Sequence, residues 1–176
     1  MSLNISQIVP IISVQVSNSE NIVIVSADNL LFFFNCLKKH ISYRYQLLSY
    51  IAGVDLLGYK YRFSIIYDVL SLTYNVRLRI KVYLNEVEAI SSLTSIYINA
   101  NWWEREIWDL FGVYFENHPD LRKILTDYGF EGYPLRKDFP LYGYLDLRYD
   151  EVKKQIVVEP IELSQNFRSF VFETLW

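Results

Sequence analysis

Between Asn75 and Leu84 apolar and polar positions alternate without a break. Val76, Leu78, Ile80, Val82 and Leu84 fall on one side, and Arg77, Arg79, Lys81 and Tyr83 on the other. A period of two with one apolar side predicts an antiparallel strand with one face buried and one wet. Two further apolar runs precede it, at about 45–54 and 59–69, with short turn segments at "GYK" and "LTYN". The three together read as a meander, and residues 11–16 and 21–26 around "SNSE" read as a hairpin. From Ala27 to His40 the period lengthens to that of a helix. Ser26 is placed to cap it, Asp28 suits its first turn, and Lys38, Lys39 and His40 suit its last. Leu30, Phe34, Leu37 and Ile41 are expected to face the core. Residues 86–98 read as a second helix.

A third helix is expected from Asn101, in "ANWWEREIWDLFGVYFENHPDLRKIL". Asn101 is expected to cap it, with Glu104 reaching back in a capping box. Trp103, Ile107, Leu110 and Phe111 cluster on one face, flanked by Trp108, and that face is core. Arg105 and Asp109 stand four apart and are expected to pair, while Glu106 lies towards the other edge of the apolar stripe. Gly112 suits the C-terminal turn. Asn117-His118-Pro119-Asp120 is turn chemistry, and Leu121 to Leu125 is expected to begin another short helix.

Beyond Thr126 the periodicity stops. Prolines 134, 140 and 160 and glycines 129, 132 and 143 punctuate aromatics and mixed charges. Loops in compact domains seldom exceed about 12–15 residues. A segment this long, apolar and irregular is therefore expected to lie along another protein. The reading is an α+β fold, a mostly antiparallel or mixed sheet flanked by helices. It divides into a domain at 1–125 and an extended partner-wrapping segment at 126–176.

Composition narrows the chemistry. The chain has 176 residues, 52% hydrophobic and 21% charged, which fits one folded domain with an appendage. Its net charge of −3 supplies no global attraction for nucleic acid or anionic lipid. The single cysteine, Cys36, excludes an internal disulfide framework, a CxxC redox pair and a chain-borne iron–sulfur cluster. The longest apolar knot, Leu30 to Phe34, is far short of the roughly 18 residues of a membrane span. No Lys or Arg precedes Lys38, so neither a signal peptide nor a transit peptide is expected. The 15 Tyr and 11 Phe suit an AT-rich genome.

Two enzymatic or binding readings stand against a structural one. Glu104, Glu106 or Asp109 with His118 would make an acid/base site of a small hydrolase. Glu104 and Glu106 are only two apart, however, and diverge on a helix, so capping and pairing are favoured. Two histidines without HExxH leave no standard metal set. No GxGxxG, GxxxxGK[ST] or GxSxG occurs. Arg77, Arg79 and Lys81 beside Lys60 and Arg62 offer a basic sheet face that would suit RNA phosphate, but solvated or partner-facing charge is favoured by the acidic total.

"EREIWDLFGVYFENHPDLRKIL" closely resembles the signature of the 30-kilodalton subunit of the peripheral arm of respiratory complex I. The resemblance continues through "TDYGFEGYPLRKDFPLYGYLDLRYDE" and "VVEPIELSQNFRSFVF", and more loosely through "AGVD" and "RFSIIYDVLS". It implies a non-catalytic core subunit of NADH:ubiquinone oxidoreductase that supports electron transfer from NADH to ubiquinone by scaffolding the quinone-proximal module. It implies an α+β domain whose C-terminal segment runs over the 49-kilodalton subunit. No cofactor is expected in this chain, with FMN and iron–sulfur clusters in partner subunits and no nucleic acid bound. The expected location is peripheral to the mitochondrial inner membrane on its matrix side, or the cytoplasmic side for a bacterial relative. The signature positions are Glu104, Arg105, Glu106, Asp109, Gly112, His118, Pro119, Leu121 and Arg122. The expected partner-facing positions are Arg136, Lys137, Asp138, Phe139, Pro140, Arg148, Glu159, Pro160 and Phe167.

Overall fold

The computed structural model describes residues 10–17, 20–168 and 170. The predicted hairpin forms as an antiparallel pair, β1 (Ser13–Ser17) and β2 (Glu20–Ile24), with residues 18–19 outside the described set. The predicted meander forms as β3 (Leu47–Asp55), β4 (Phe63–Ser71) and β5 (Val76–Leu84). These five strands make one sheet in the order β1-β2-β5-β4-β3. The meander pairs antiparallel, and β2 joins β5 in parallel, with Val23 opposite Ile80. The alternation in β5 holds: Leu78, Ile80, Val82 and Leu84 are buried, while Arg77 is exposed and Arg79, Lys81 and Tyr83 are half-buried. β5 is not an outer strand, because β2 covers its second edge.

Two helices cover the apolar face. After a 3-10 turn at Ala27–Asn29, α1 (Leu30–Lys39) buries Leu30, Phe33, Phe34 and Leu37, and Phe34 meets Tyr67 of β4 edge-on at 5.3 Å. The helix ends earlier than predicted. His40 leaves it with an extended backbone, so Ile41 is 71% exposed and outside the core. Ser26 makes no side-chain bond to the helix backbone; its hydroxyl accepts from Asn29 Nδ2 at 2.9 Å. α2 (Ala100–Phe111) packs on β3, where Phe111 lies so close to Gly53 that a Cβ there would sit 2.9 Å from the ring.

Three expected elements are replaced. No helix forms over 86–98. Asn85 N–H donates to Glu88 in a turn, and Ser92 Oγ accepts the Thr94 N–H, so local side chains take the backbone groups a helix would use. Ile90 and Ser91 form instead a short strand β6, parallel to β7 (Phe115–Glu116). No helix forms over 121–125, where the Ile124 and Leu125 N–H groups are taken by Asp109, as described below. The irregular segment contains a hairpin that was not expected, β8 (Leu145–Asp150) with β9 (Gln155–Pro160).

The chain divides into two units, one up to Lys137 and one from Asp138. The boundary therefore falls later than Thr126. Residues 124–137 are tied to the sheet domain by bonds their own sequence does not display: Leu135 N–H donates to Leu110 O, and Lys137 N–H to Asp55. Residues 171–176, the end of the stretch resembling the complex I subunit, lie outside the described set. Among the described residues no helix is long and apolar enough to cross a membrane.

Candidate functional site

α2 carries the signature carboxylates, and the structure sends each in a different direction. Glu104 is fully buried and does not form the expected capping box. The N-cap lies two residues earlier than expected, at Asn99, whose amide donates to Leu48 O. Glu104 Oε1 accepts the Leu93 N–H at 2.7 Å and Oε2 accepts the Ser92 hydroxyl at 2.6 Å. It thus satisfies the bend between β6 and α2. Burial raises its pKa to about 7, and the bonds from Ser92 and Leu93 hold it from going higher. His118 Nε2 lies 3.8 Å from Glu104 Oε2 and 3.3 Å from Asn101 O, while its Nδ1 accepts the Asp120 N–H at 3.1 Å. Burial depresses the His118 pKa, against a smaller upward pull from the Asn101 carbonyl.

Asp109 does not pair with Arg105. It is fully buried and accepts four hydrogen bonds from residues 124–126: the N–H groups of Ile124, Leu125 and Thr126 and the Thr126 hydroxyl. Burial pushes its pKa up, but these bonds outweigh burial and hold it below the ordinary carboxylate range. Arg105 turns outward, donating to Arg122 O at 3.1 Å and lying over the Trp102 ring. Arg122 and Pro119 are exposed, Arg122 pairing with Asp120 at 3.0 Å, and Leu121 packs against the core.

Gly112 ends the helix in the left-handed region, at φ 77°. A Cβ there would meet Tyr133 at 2.6 Å and Arg136 at 2.8 Å. Arg136 closes this end: Nε donates to Phe111 O at 2.6 Å, a terminal nitrogen to Glu86 at 2.7 Å, and the guanidinium lies over Tyr133 and Phe63. Glu86 also meets Arg62 at 3.1 Å, and Arg62 meets buried Asp55 at 3.3 Å. This network of Asp55, Arg62 and Glu86 was missed by sequence reasoning, since its members are far apart in the chain and the only hint was Asp55 in "AGVD". Arg136 through its side chain and Lys137 through its backbone N–H are thereby engaged within their own domain.

Of the other expected partner-facing residues, Arg148 and Glu159 form an exposed ion pair at 2.7 Å on the hairpin. Phe139 meets Tyr144 edge-on, and Phe167 meets Tyr142 at 6.3 Å. Pro140 is half-buried, and Asp138 and Pro160 are exposed. The basic sheet face is partly neutralised, Arg79 by Glu20 at 2.6 Å and Arg77 by Asp68 at 4.0 Å. Among the described residues no three His, Cys, Asp or Glu side chains converge to hold a metal ion.

Residues 23–145, from β2 through α2 to the start of β8, match the model of "Respiratory-chain NADH dehydrogenase, 30 Kd subunit". The chain belongs to this family. A relative from Reclinomonas americana, "NADH-ubiquinone oxidoreductase subunit 9", is 50% identical over 152 residues, 86% of this chain and 74% of the relative. The Arabidopsis thaliana relative "NADH dehydrogenase (ubiquinone) iron-sulfur protein 3" is 56% identical over 140 residues, 80% of this chain and 74% of that protein. Among solved structures, a chain of the membrane-bound sulfane sulfur reductase, an archaeal respiratory membrane complex, superposes with a TM-score of 0.66. It is 26% identical, over 87% of this chain and 95% of that one. In this 30-kilodalton family member the signature residues Glu104 and Asp109 are therefore internal ties, each fastening α2 to a neighbouring loop.

Proposed function

We propose that this chain is a scaffolding core subunit of NADH:ubiquinone oxidoreductase, without an active site of its own, and that residues 138–176 dock it on a neighbouring subunit. Family membership supports the complex. The resemblance to the family supports the finer reading that it sits beside the 49-kilodalton subunit, on the matrix side of the mitochondrial inner membrane.

One observation carries the docking role. In the β8–β9 hairpin Leu147 stands opposite Val158 and Tyr149 opposite Ile156, and with Leu145 they make one apolar face. Each of these five side chains is 55–67% exposed. A two-stranded hairpin is marginal alone in water, and an apolar face on it needs cover. Absence of catalysis is supported by the fate of the acids: Glu104 and Asp109 are buried with their oxygens engaged, and one cysteine cannot ligate a cluster. The iron–sulfur wording in the Arabidopsis relative's name fits clusters held by partner subunits.

The test is truncation after Lys137. A chain that keeps its cooperative unfolding transition yet is lost from the assembled complex supports docking by the C-terminal unit. Normal incorporation of the truncated chain refutes it.

A further inference from the structure

Between the β3 edge and α2 runs a groove of about 320 Å³, lined by Tyr50, Ala52, Gly53, Trp103, Leu110 and Leu135 among others, all apolar except Glu106 and the Tyr50 hydroxyl. That hydroxyl is engaged by Arg79 at 3.1 Å. Glu106 is half-buried and has no hydrogen-bond or ion-pair partner among the described residues, unlike Glu104 and Asp109 on the same helix. Beside the groove, β3 is the last strand of its sheet. An edge strand presents unpaired N–H and C=O groups that another extended chain can match.

We propose that this groove receives an extended segment of a neighbouring subunit, bearing an apolar side chain and, two positions away, a lysine or arginine that pairs with Glu106. The spacing follows from the strand geometry, because residues i and i+2 point to one side. Charge selects the occupant. A carboxylate left without a counter-ion in an apolar groove favours a basic partner and disfavours a neutral or acidic one. The small side chain of Ala52, on the groove lining, leaves room for a partner side chain beside β3. This inference rests on the chain working inside a multisubunit complex, but not on docking by residues 138–176.

A photo-crosslinking phenylalanine analogue at Leu135, which is 52% exposed, tests it in the assembled complex. The expected product joins Leu135 to another subunit, at a peptide with an apolar residue two positions from Lys or Arg. Crosslinks to residues 138–176 of this chain, to a second copy, or to a peptide without a basic residue overturn it, as does the absence of any product. In parallel, full-length Glu106→Lys should enter the complex on the order of tenfold less well than wild type, with Glu106→Gln in between. Unchanged incorporation of Glu106→Lys overturns the charge pairing. Both variants should keep the wild-type thermal midpoint as free chains, because Glu106 has no partner to lose. Failure of the truncation test with a positive Leu135 crosslink would remove the C-terminal docking role and leave the groove.

Discussion

Asp109 accepts both the N–H and the side-chain hydroxyl of Thr126, at 2.9 and 2.6 Å, across 17 positions of chain. With the Ile124 and Leu125 N–H groups it turns one buried carboxylate into the fastener of a loop. Asp109→Ala strands these donors and should cost about 3–5 kcal/mol of unfolding free energy, and Asp109→Asn about 2–3. Arg105→Ala, which removes only an exposed bond to Arg122 O and a contact with Trp102, should cost about 1 kcal/mol or less. Urea titration of the three variants checks the order; a larger loss for Arg105→Ala than for Asp109→Asn would contradict it.

Glu104 gives the fold an unusual pH response. Its folded pKa of about 7 lies above the 4.5 of a free glutamate, so the native state keeps the proton longer. Its contribution is full below pH 4.5 and falls as pH rises, by about 3 kcal/mol once pH has passed 7. His118, whose pKa is depressed from 6.5, works in the opposite direction, adding stability as pH rises through that range. Glu104→Gln isolates the first effect: the stability difference from wild type should shift by about 3 kcal/mol between acidic and alkaline buffer. A pH-independent difference would show that Glu104 does not titrate as inferred.

Tyr67 is fully buried, and its hydroxyl has no hydrogen-bond partner among the described residues. Tyr67→Phe removes an unsatisfied polar atom while keeping the ring against Phe34, so it should stabilise the chain by about 1 kcal/mol. A melting temperature below wild type would indicate that the hydroxyl is solvated or bonded in solution.

Gly112→Ala forces a Cβ into a left-handed residue against Tyr133 and Arg136. The backbone term alone costs about 1–2 kcal/mol, and the displaced Arg136 releases Phe111 O and Glu86. The midpoint of denaturation should fall by more than it does for Gly129→Ala, where φ is 72° but no atom lies within 4 Å of the added carbon. Equal losses would mean that the contact with Tyr133 and Arg136 contributes nothing.

Leu147→Asp and Val158→Asp place charges on the exposed apolar face of the hairpin. Both variants should lower incorporation into the complex while leaving the main thermal transition, which reports the sheet domain, within about 1 °C. A large drop in that transition would assign the hairpin to the domain's own stability.

The strands and α1 were legible because their signal is local: β5 alternates within ten residues, and α1 repeats its apolar positions every turn. What failed was equally physical. Residues 86–98 carry enough apolar positions for a helix, but Ser92 is claimed by Glu104 and Thr94, a contest decided by residues beyond the window. Arg105 and Asp109 had ideal spacing for a pair, yet three N–H groups and a hydroxyl from 124–126 offered Asp109 more than one guanidinium could. Leu145, Leu147 and Tyr149 do alternate with Asp146, Arg148 and Asp150, but surrounding prolines and glycines concealed a hairpin whose two faces are both exposed. The signature was readable as a block, while the separate task of each acid needed the loops it fastens.

The parallel register of Ile22 with Arg79 also sets a timetable. A ribosome delivers β2 before the strand that completes its second edge, and at about 5–20 residues per second the wait is several seconds. Through that interval the N-terminal hairpin has an open side, and the β3–β4 pair on which α1 lays Phe34 is not yet joined to it. The first β-hairpin is thus made early but secured late. Nascent chains arrested before Val76 should leave it open to protease, and those arrested once β5 has cleared the exit tunnel should protect it.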